Sequence, residues 1–372
     1  MSSNAYTQSH PPDTLLTNAS RRGHCAKDPE TGLYHGYFSF LLGHCPLAKW
    51  KTNSAIVHAV AGSPEGPYTP QGRSLYAPVP GVMIPPWAHS AFVTFSKIDG
   101  QWLLWHIGPA TTPPSAWENC TAVAEERLQP EEDERHTCTP PPCGENMYVS
   151  TAPSLSGPWS TPPVRLRLTD AALNNSWWSS TTGRQGQYQN NPSMPAPFIF
   201  ENGTTLLFYQ AKNCPAGWGN LAPACVGVLR ASHWRGPYSE ARTTPIIHPE
   251  SEDPFVFRTA RGFHLLVNIN TYHKRCPAGV ACGGHAWSET GLTWSPLQMA
   301  AFGPTVTLSN GSAVRNSYVE RPQVYLDEAD GQPRTLFVGL TRPDGYADSV
   351  TWAQRFCREG EAGCGTTIGG GG

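Results

Sequence analysis

An all-β chain folded as a five-bladed β-propeller is what this sequence predicts, and three observations carry the prediction. First, one phrase recurs: Ser63-Pro-Glu-Gly-Pro-Tyr68, Ser154-Leu-Ser-Gly-Pro-Trp159 and Ser232-His-Trp-Arg-Gly-Pro-Tyr238, with a looser copy in Ser288-Glu-Thr-Gly-Leu-Thr-Trp294. The first three follow short β-type runs at Ile56–Val60, Met147–Ser150 and Val226–Leu229. Strands that keep ending in one turn mark a modular β architecture. Second, four segments open with a polar pair and a small residue or Pro, then run strand, turn, strand. Third, 36 Gly and 37 Pro among 372 residues, with only 15% charged residues, suit many short strands joined by tight turns.

The units follow in order along the chain. The first is the least regular: Gly23–Ala26, the turn Lys27–Gly32, and the strand Leu33–Phe40. The second pairs His89–Phe95 with Gln101–Trp105, and the third pairs Pro197–Phe200 with Thr204–Phe208. The fourth pairs Glu252–Phe257 with Phe263–Val267, and the fifth pairs Glu320–Tyr325 with Arg334–Val338. Asp99-Gly100 and Asn202-Gly203 are strong hairpin turns. Five such units set radially make a five-bladed propeller. A pair of β-sandwiches is the competing architecture, but it has no reason to reuse one strand-ending turn at these intervals. The expected organisation is a flexible segment 1–20, one propeller over 21–356 with a long insertion at 111–143, and a flexible tail 357–372.

A formal net charge of −2 gives no reason to expect a nucleic-acid partner. No run of 18 apolar residues exists, so no membrane span is expected. The eleven cysteines fall in close pairs, Cys25/Cys45, Cys214/Cys225, Cys276/Cys282 and Cys357/Cys364, with Cys120 paired to Cys138 or Cys143. Such pairs read as disulfides around hairpins, with the odd cysteine expected in the group 120, 138 and 143. Sequons stand at Asn18, Asn119, Asn174, Asn202 and Asn310. Together these favour a secreted glycoprotein, monomeric, with its leader removed.

The Gly-Pro-aromatic endings, the Glu252-Asp-Pro-Phe255 start and the ending from His285-Ala-Trp-Ser288 to Trp294 resemble the family 43 glycoside hydrolases and their relatives over about residues 20–356. The resemblance implies a five-bladed propeller that cleaves arabinofuranosides, xylosides or galactosides with inversion, using carboxylates around a central pocket. It implies an Asp base on blade 1, an Asp on blade 3 that tunes the acid, and a Glu acid on blade 4. It requires no cofactor. A calcium or sodium ion on the axis would be structural or would tune a pKa.

The chain departs from that pattern. Asp28-Pro-Glu-Thr-Gly32 occupies a hairpin turn, so Asp28 reads as a turn residue, and the blade-1 rim falls on Arg22, Gly23 and His24. On blade 3, Met194-Pro-Ala-Pro197 stands where a carboxylate is expected, just after Asn191. Blade 4 keeps Glu252 and Asp253, whose side chains point to opposite faces of a regular strand, so only one reaches the pocket unless the backbone bulges. Glu252 is the expected acid and Asp253 the alternative; a plain loop entering a strand is the reading without chemistry. On blade 5, Glu320 is the candidate second carboxylate and Arg321 a bidentate ligand for a carboxylate or hydroxyls, against an intrablade salt bridge. His24 and His89 align with rim positions, and His285 follows Gly283-Gly284, which allows close backbone approach. Each histidine taken alone is more often structural. Sugar binding is expected from His24, His89, His285, Arg321 and Asn191. Two other functions stay open: a polysaccharide lyase that eliminates at a uronate through His and Arg, and a non-catalytic carbohydrate-binding propeller.

Overall fold

The structure, a computed structural model, describes residues 20–43, 45, 50–71, 82–84, 88–109, 145–178, 192–211, 214, 224–247, 251–269, 282–307, 312–316, 318–341 and 349–356. The expected insertion at 111–143, the tail 357–372, Asn191 and the sequons at Asn18, Asn119 and Asn310 lie outside the described residues.

Five antiparallel sheets stand around one axis. Blade 1 contains β1 (Ser20–Lys27), β2 (Tyr34–Leu41), the short helix α1 (Trp50–Asn53), β3 (Ser54–Ala61) and β4 (Thr69–Pro70), with β5 (Val82–Ile84) also paired to β3. Blade 2 runs β6 (His89–Ser96), β7 (Gln101–Pro109), β8 (Glu145–Ala152) and β9 (Val164–Arg165), and the helix α2 (Asp170–Asn175) follows it. Blade 3 runs β10 (Ser193–Ile199), β11 (Thr205–Ala211), β12 (Cys225–Ala231) and β13 (Ser239–Glu240). Blade 4 runs β14 (Ser251–Thr259), β15 (Gly262–Ile269), β16 (Cys282–Ser288) and β17 (Gln298–Phe302). A hairpin of β18 (Thr305–Thr307) and β19 (Ala313–Arg315) leads into blade 5, which has β20 (Tyr318–Leu326), β21 (Pro333–Thr341) and β22 (Ser349–Arg355). The inner strands close a circle: β1 lies against β6, β6 against β10, β10 against β14, β14 against β20, and β20 against β1.

The repeated phrase is the corner of a blade. Gly66, Gly157 and Gly236 all take positive φ, between 81° and 93°, and each is followed by a cis proline. The Gly66 and Gly157 amides donate to Ser63 and Ser154 carbonyls, and the Gly236 amide donates to that of His233. Each corner turns the third strand into the short outer strand. The aromatic that follows packs inward in Tyr68 and Tyr238, whose hydroxyls donate to the Pro64 and Trp234 carbonyls. Large buried aromatics such as Trp105, Tyr209, Trp234 and Phe255 fill the space between blades, where removal from water is the main driving force.

The cysteine expectation needs one correction. Cys214 and Cys225 form a disulfide, and Cys45 is disulfide-bonded, but Cys25 is free. Strand alternation turns Cys25 into the blade-1 core beside Phe38 and Tyr68, and burial pushes its thiol pKa up.

Candidate active site

All five inner strands share one irregularity. Register jumps between Ser20 and Gly23, His89 and Phe92, Ser193 and Ala196, Glu252 and Phe255, and Glu320 and Gln323. In four blades the first residue inside the bulge is left-handed: Ser90, Met194, Asp253 and Arg321, with φ from 51° to 61°. Non-glycine residues rarely sit there, and such positions cluster at functional sites. Extra residues at the rim re-aim side chains toward the axis. In blade 4 the bulge breaks the strict alternation of a regular strand. Asp253, only 3% exposed, turns inward, while Glu252 before it stays half-buried.

The inward side chains meet across blades. The Asp253 amide donates to Gln210 Oε1 at 2.7 Å. Arg321 Nε lies 3.6 Å from Asp253 Oδ1, with both side chains buried. Arg321 Nη1 donates to His89 Nε2. His89 Nδ1 lies 2.6 Å from Ser54 Oγ, and Ser54 donates to the Ala88 carbonyl at 3.1 Å. Gln210, Asp253, Arg321, His89 and Ser54 therefore supply one residue from each of blades 3, 4, 5, 2 and 1. A second path joins blades 1, 2 and 3: the Ser90 amide donates to Ser39 Oγ at 2.8 Å, and Ser90 Oγ to Met194 Sδ at 2.9 Å. Gln323 Nε2 crosses from blade 5 to the Ala91 carbonyl in blade 2 at 3.1 Å.

A guanidinium only donates, so in the contact with Arg321 the His89 Nε2 is the acceptor, and His89 Nδ1 faces Ser54 Oγ on its other side. Trp50 of α1 lies against His89, with ring centroids 5.2 Å apart, and puts a half-buried indole beside the chain.

The structure separates the expected site residues. Asp253, Arg321 and His89 converge. Glu252 and Glu320 occupy matching half-buried positions on adjacent blades, each one residue before the left-handed one. His24 is not the counterpart of His89; by register Ser20 is. His24 lies past the bulge, its ring 4.5 Å from Phe92 and 5.9 Å from Phe255, deeper between the blades. His285 does not reach this chain. It sits in the third strand of blade 4, bonded to His264 Nδ1 at 3.0 Å and to Gln298. A Cβ on Gly283 would collide with the Phe302 ring, so that glycine makes room for packing within the blade. Asp28 is a turn residue: its carboxylate accepts from the Glu30 amide and the Thr31 hydroxyl, and its backbone closes the hairpin with Gly32 and Leu33. Among the described residues, no group of three or more His, Cys, Asp or Glu side chains is arranged to hold a metal. Gln210, Ser54 and Trp50 were not expected. Their strands and helix carry no motif, and only the three-dimensional register brings them to the rim.

No protein-family model matches the chain, and no curated protein matches it in sequence. Solved structures do match in shape. Zg3597, a family 117 glycoside hydrolase of the marine bacterium Zobellia galactanivorans, is 14% identical with a TM-score of 0.56, covering 94% of this chain and 88% of its own. A thermostable family-43 glycoside hydrolase is 12% identical with a TM-score of 0.52, covering 97% and 95%. The catalytic domain of the Coprinopsis cinerea GH62 α-L-arabinofuranosidase is 10% identical with a TM-score of 0.52, covering 95% and 96%. This chain shares their five-bladed fold. At such identities the likeness concerns the fold, and the chemistry has to be argued from the residues.

Proposed function

We propose that the protein is a secreted, inverting glycoside hydrolase acting on arabinofuranosyl, xylosyl or galactosyl linkages of a polysaccharide or oligosaccharide. The observation that carries this reading is the meeting of Asp253, Arg321 and His89 from three blades, flanked by Glu252 and Glu320. Inversion requires an acid for the leaving oxygen and a base for water, with carboxyls about 6.5–9.5 Å apart. Glu252 is the acid and Glu320 the base. Asp253, paired with Arg321, is the fixed negative charge that tunes the acid; like charge nearby raises a carboxyl pKa. Arg321 orients sugar hydroxyls, and Trp50 offers the ring face on which a sugar stacks.

Elimination at a uronate fits these residues less well. A His base needs a free ring nitrogen, and Arg321 occupies His89 Nε2. The same arginine already faces Asp253, which lessens its power to neutralise a uronate. The disulfide Cys214–Cys225 supports secretion, since such bonds persist in oxidising compartments.

The test is turnover of 4-nitrophenyl α-L-arabinofuranoside, β-D-xyloside and β-D-galactoside by the wild type and Glu252→Gln. The reading expects hydrolysis of at least one, the inverted anomer by NMR, and a loss of about 10³-fold or more in the variant at unchanged Tm. Full activity in Glu252→Gln removes it from the mechanism. Binding without any product points to a lectin-like propeller, and an unsaturated uronate absorbing in the ultraviolet from an acidic polysaccharide points to a lyase.

A further inference from the structure

A bulge frees an amide from its ladder, and a buried amide needs an acceptor. In blade 4 the freed amide is that of Asp253, because the pairing skips from Glu252 with Asn268 to Phe255 with Leu266. Its acceptor comes from the preceding blade: Gln210 of β11, 6% exposed, receives it at 2.7 Å. Blade 2 repeats the device, where the Ser90 amide is received by Ser39 of β2 in blade 1. In both cases the second strand of the preceding blade holds the left-handed residue of the next. The difference lies in what is held. Ser90 is neutral, whereas Asp253 bears the carboxyl group that faces Arg321, and Arg321 in turn meets His89.

We propose that Gln210 is a positioning residue of the site: by holding the Asp253 amide it keeps Asp253 left-handed, with its carboxylate on Arg321 and Glu252 on the rim. The kinetic part of this inference rests on the hydrolase reading above; the structural part does not. An amide at this site has one orientation, since only the carbonyl oxygen can accept from Asp253 N–H. A methionine of similar length removes the acceptor. A glutamate keeps it.

The experiment compares wild type, Gln210→Met and Gln210→Glu in two measurements. The first is hydrogen exchange of the Asp253 amide, followed by NMR. Protection should fall at least about tenfold in Gln210→Met and be retained in Gln210→Glu. Equal protection in Gln210→Met and wild type overturns the positioning role whatever the enzyme does. The second is kinetics on the 4-nitrophenyl glycoside that the wild type cleaves. The expectation is a kcat lowered about 10- to 100-fold in Gln210→Met with KM within about threefold, and partial recovery in Gln210→Glu, because misplacement of a reacting group costs rate rather than ground-state binding. Lost protection with unchanged kcat overturns the catalytic consequence. Absence of turnover in the wild type sinks the hydrolase reading instead, and the exchange result then decides the positioning role alone. Should Gln210→Met fail to fold, Gln210→Leu and Gln210→Glu carry the same comparison.

Discussion

Blades 1 and 4 carry the same histidine ladder and end in different rims. In blade 1, His35 Nδ1 meets His58 Nε2 at 3.0 Å; in blade 4, His264 Nδ1 meets His285 Nε2 at 3.0 Å. The lattice positions match, since Tyr37 pairs with His58 and Leu266 with His285, each two residues beyond the first histidine. Even the outer contact repeats: His35 Nε2 lies 3.8 Å from Asp28 and His264 Nε2 3.0 Å from Thr259. At the rim the likeness stops. Blade 4 sends Asp253 to Arg321 across the blade boundary, while in blade 1 Asp28 stays in a hairpin turn at the far end of the strand. The difference lies in the inner-strand bulge, which in blade 4 carries a carboxylate held by the second strand of blade 3.

The contrast can be broken at the hub first. Arg321→Met should leave Asp253 as an uncompensated buried charge, lowering stability by about 3–5 kcal/mol in urea titrations and turnover by about 10³-fold or more. Asp253→Asn keeps the shape and removes the charge; turnover should fall about 10²-fold, with the alkaline limb of the pH–rate profile moving to lower pH as the acid Glu252 loses its negative neighbour. A wild-type profile in either variant would place the chemistry elsewhere.

The buried histidines should answer to pH rather than to substrate. Burial, and then the charge of His35, lowers the His58 pKa to about 3, and burial lowers that of His106 to about 4. Unfolded histidines take up protons near 6.5, so below that pH the unfolded state holds more protons and stability falls as pH drops. Stability is whole above about pH 6.5, and each of these histidines removes about 1.4 kcal/mol per unit down to its folded pKa. Denaturant midpoints from pH 7 to 4.5 should show that slope, and His58→Phe should remove the His58 share of it, leaving that of His106, without touching kcat. The smallest effect is expected for Asp28→Asn: within about 1 kcal/mol and twofold in rate, because a turn residue loses little when its charge goes. A 10³-fold loss there would make Asp28 a base after all.

Much of the fold was legible because turn chemistry is local. A Ser-x-x-Gly-Pro-aromatic corner announces itself, and so do the pairs Glu252-Asp253 and Glu320-Arg321 placed before a proline. What could not be read is the side of the strand. Period-two alternation assigns Asp253 and Glu252 to opposite faces but says nothing of an inserted residue, and the bulge turns Asp253 inward. The histidines misled for a related reason. His24 and His89 align when strands are counted from their turns, yet the pairing partners, Tyr37 and Ile107, place them on different levels. Diagonal contacts such as His264 with His285 depend on register across strands 21 residues apart. Gln210 and Trp50 had no sequence mark, because a lone polar residue at a strand end and one tryptophan among 13 look like any others.

The central claim is that the chain of Gln210, Asp253, Arg321, His89 and Ser54 is where a sugar is held. Crystals of Glu252→Gln soaked with an arabino-, xylo- or galacto-oligosaccharide test it directly. The account predicts a sugar ring at the axis, hydrogen-bonded to Arg321 and facing Trp50, with Glu320 on the side opposite the substituted acid. A sugar seated on an outer strand or between blades, with Arg321 and His89 untouched, would contradict it.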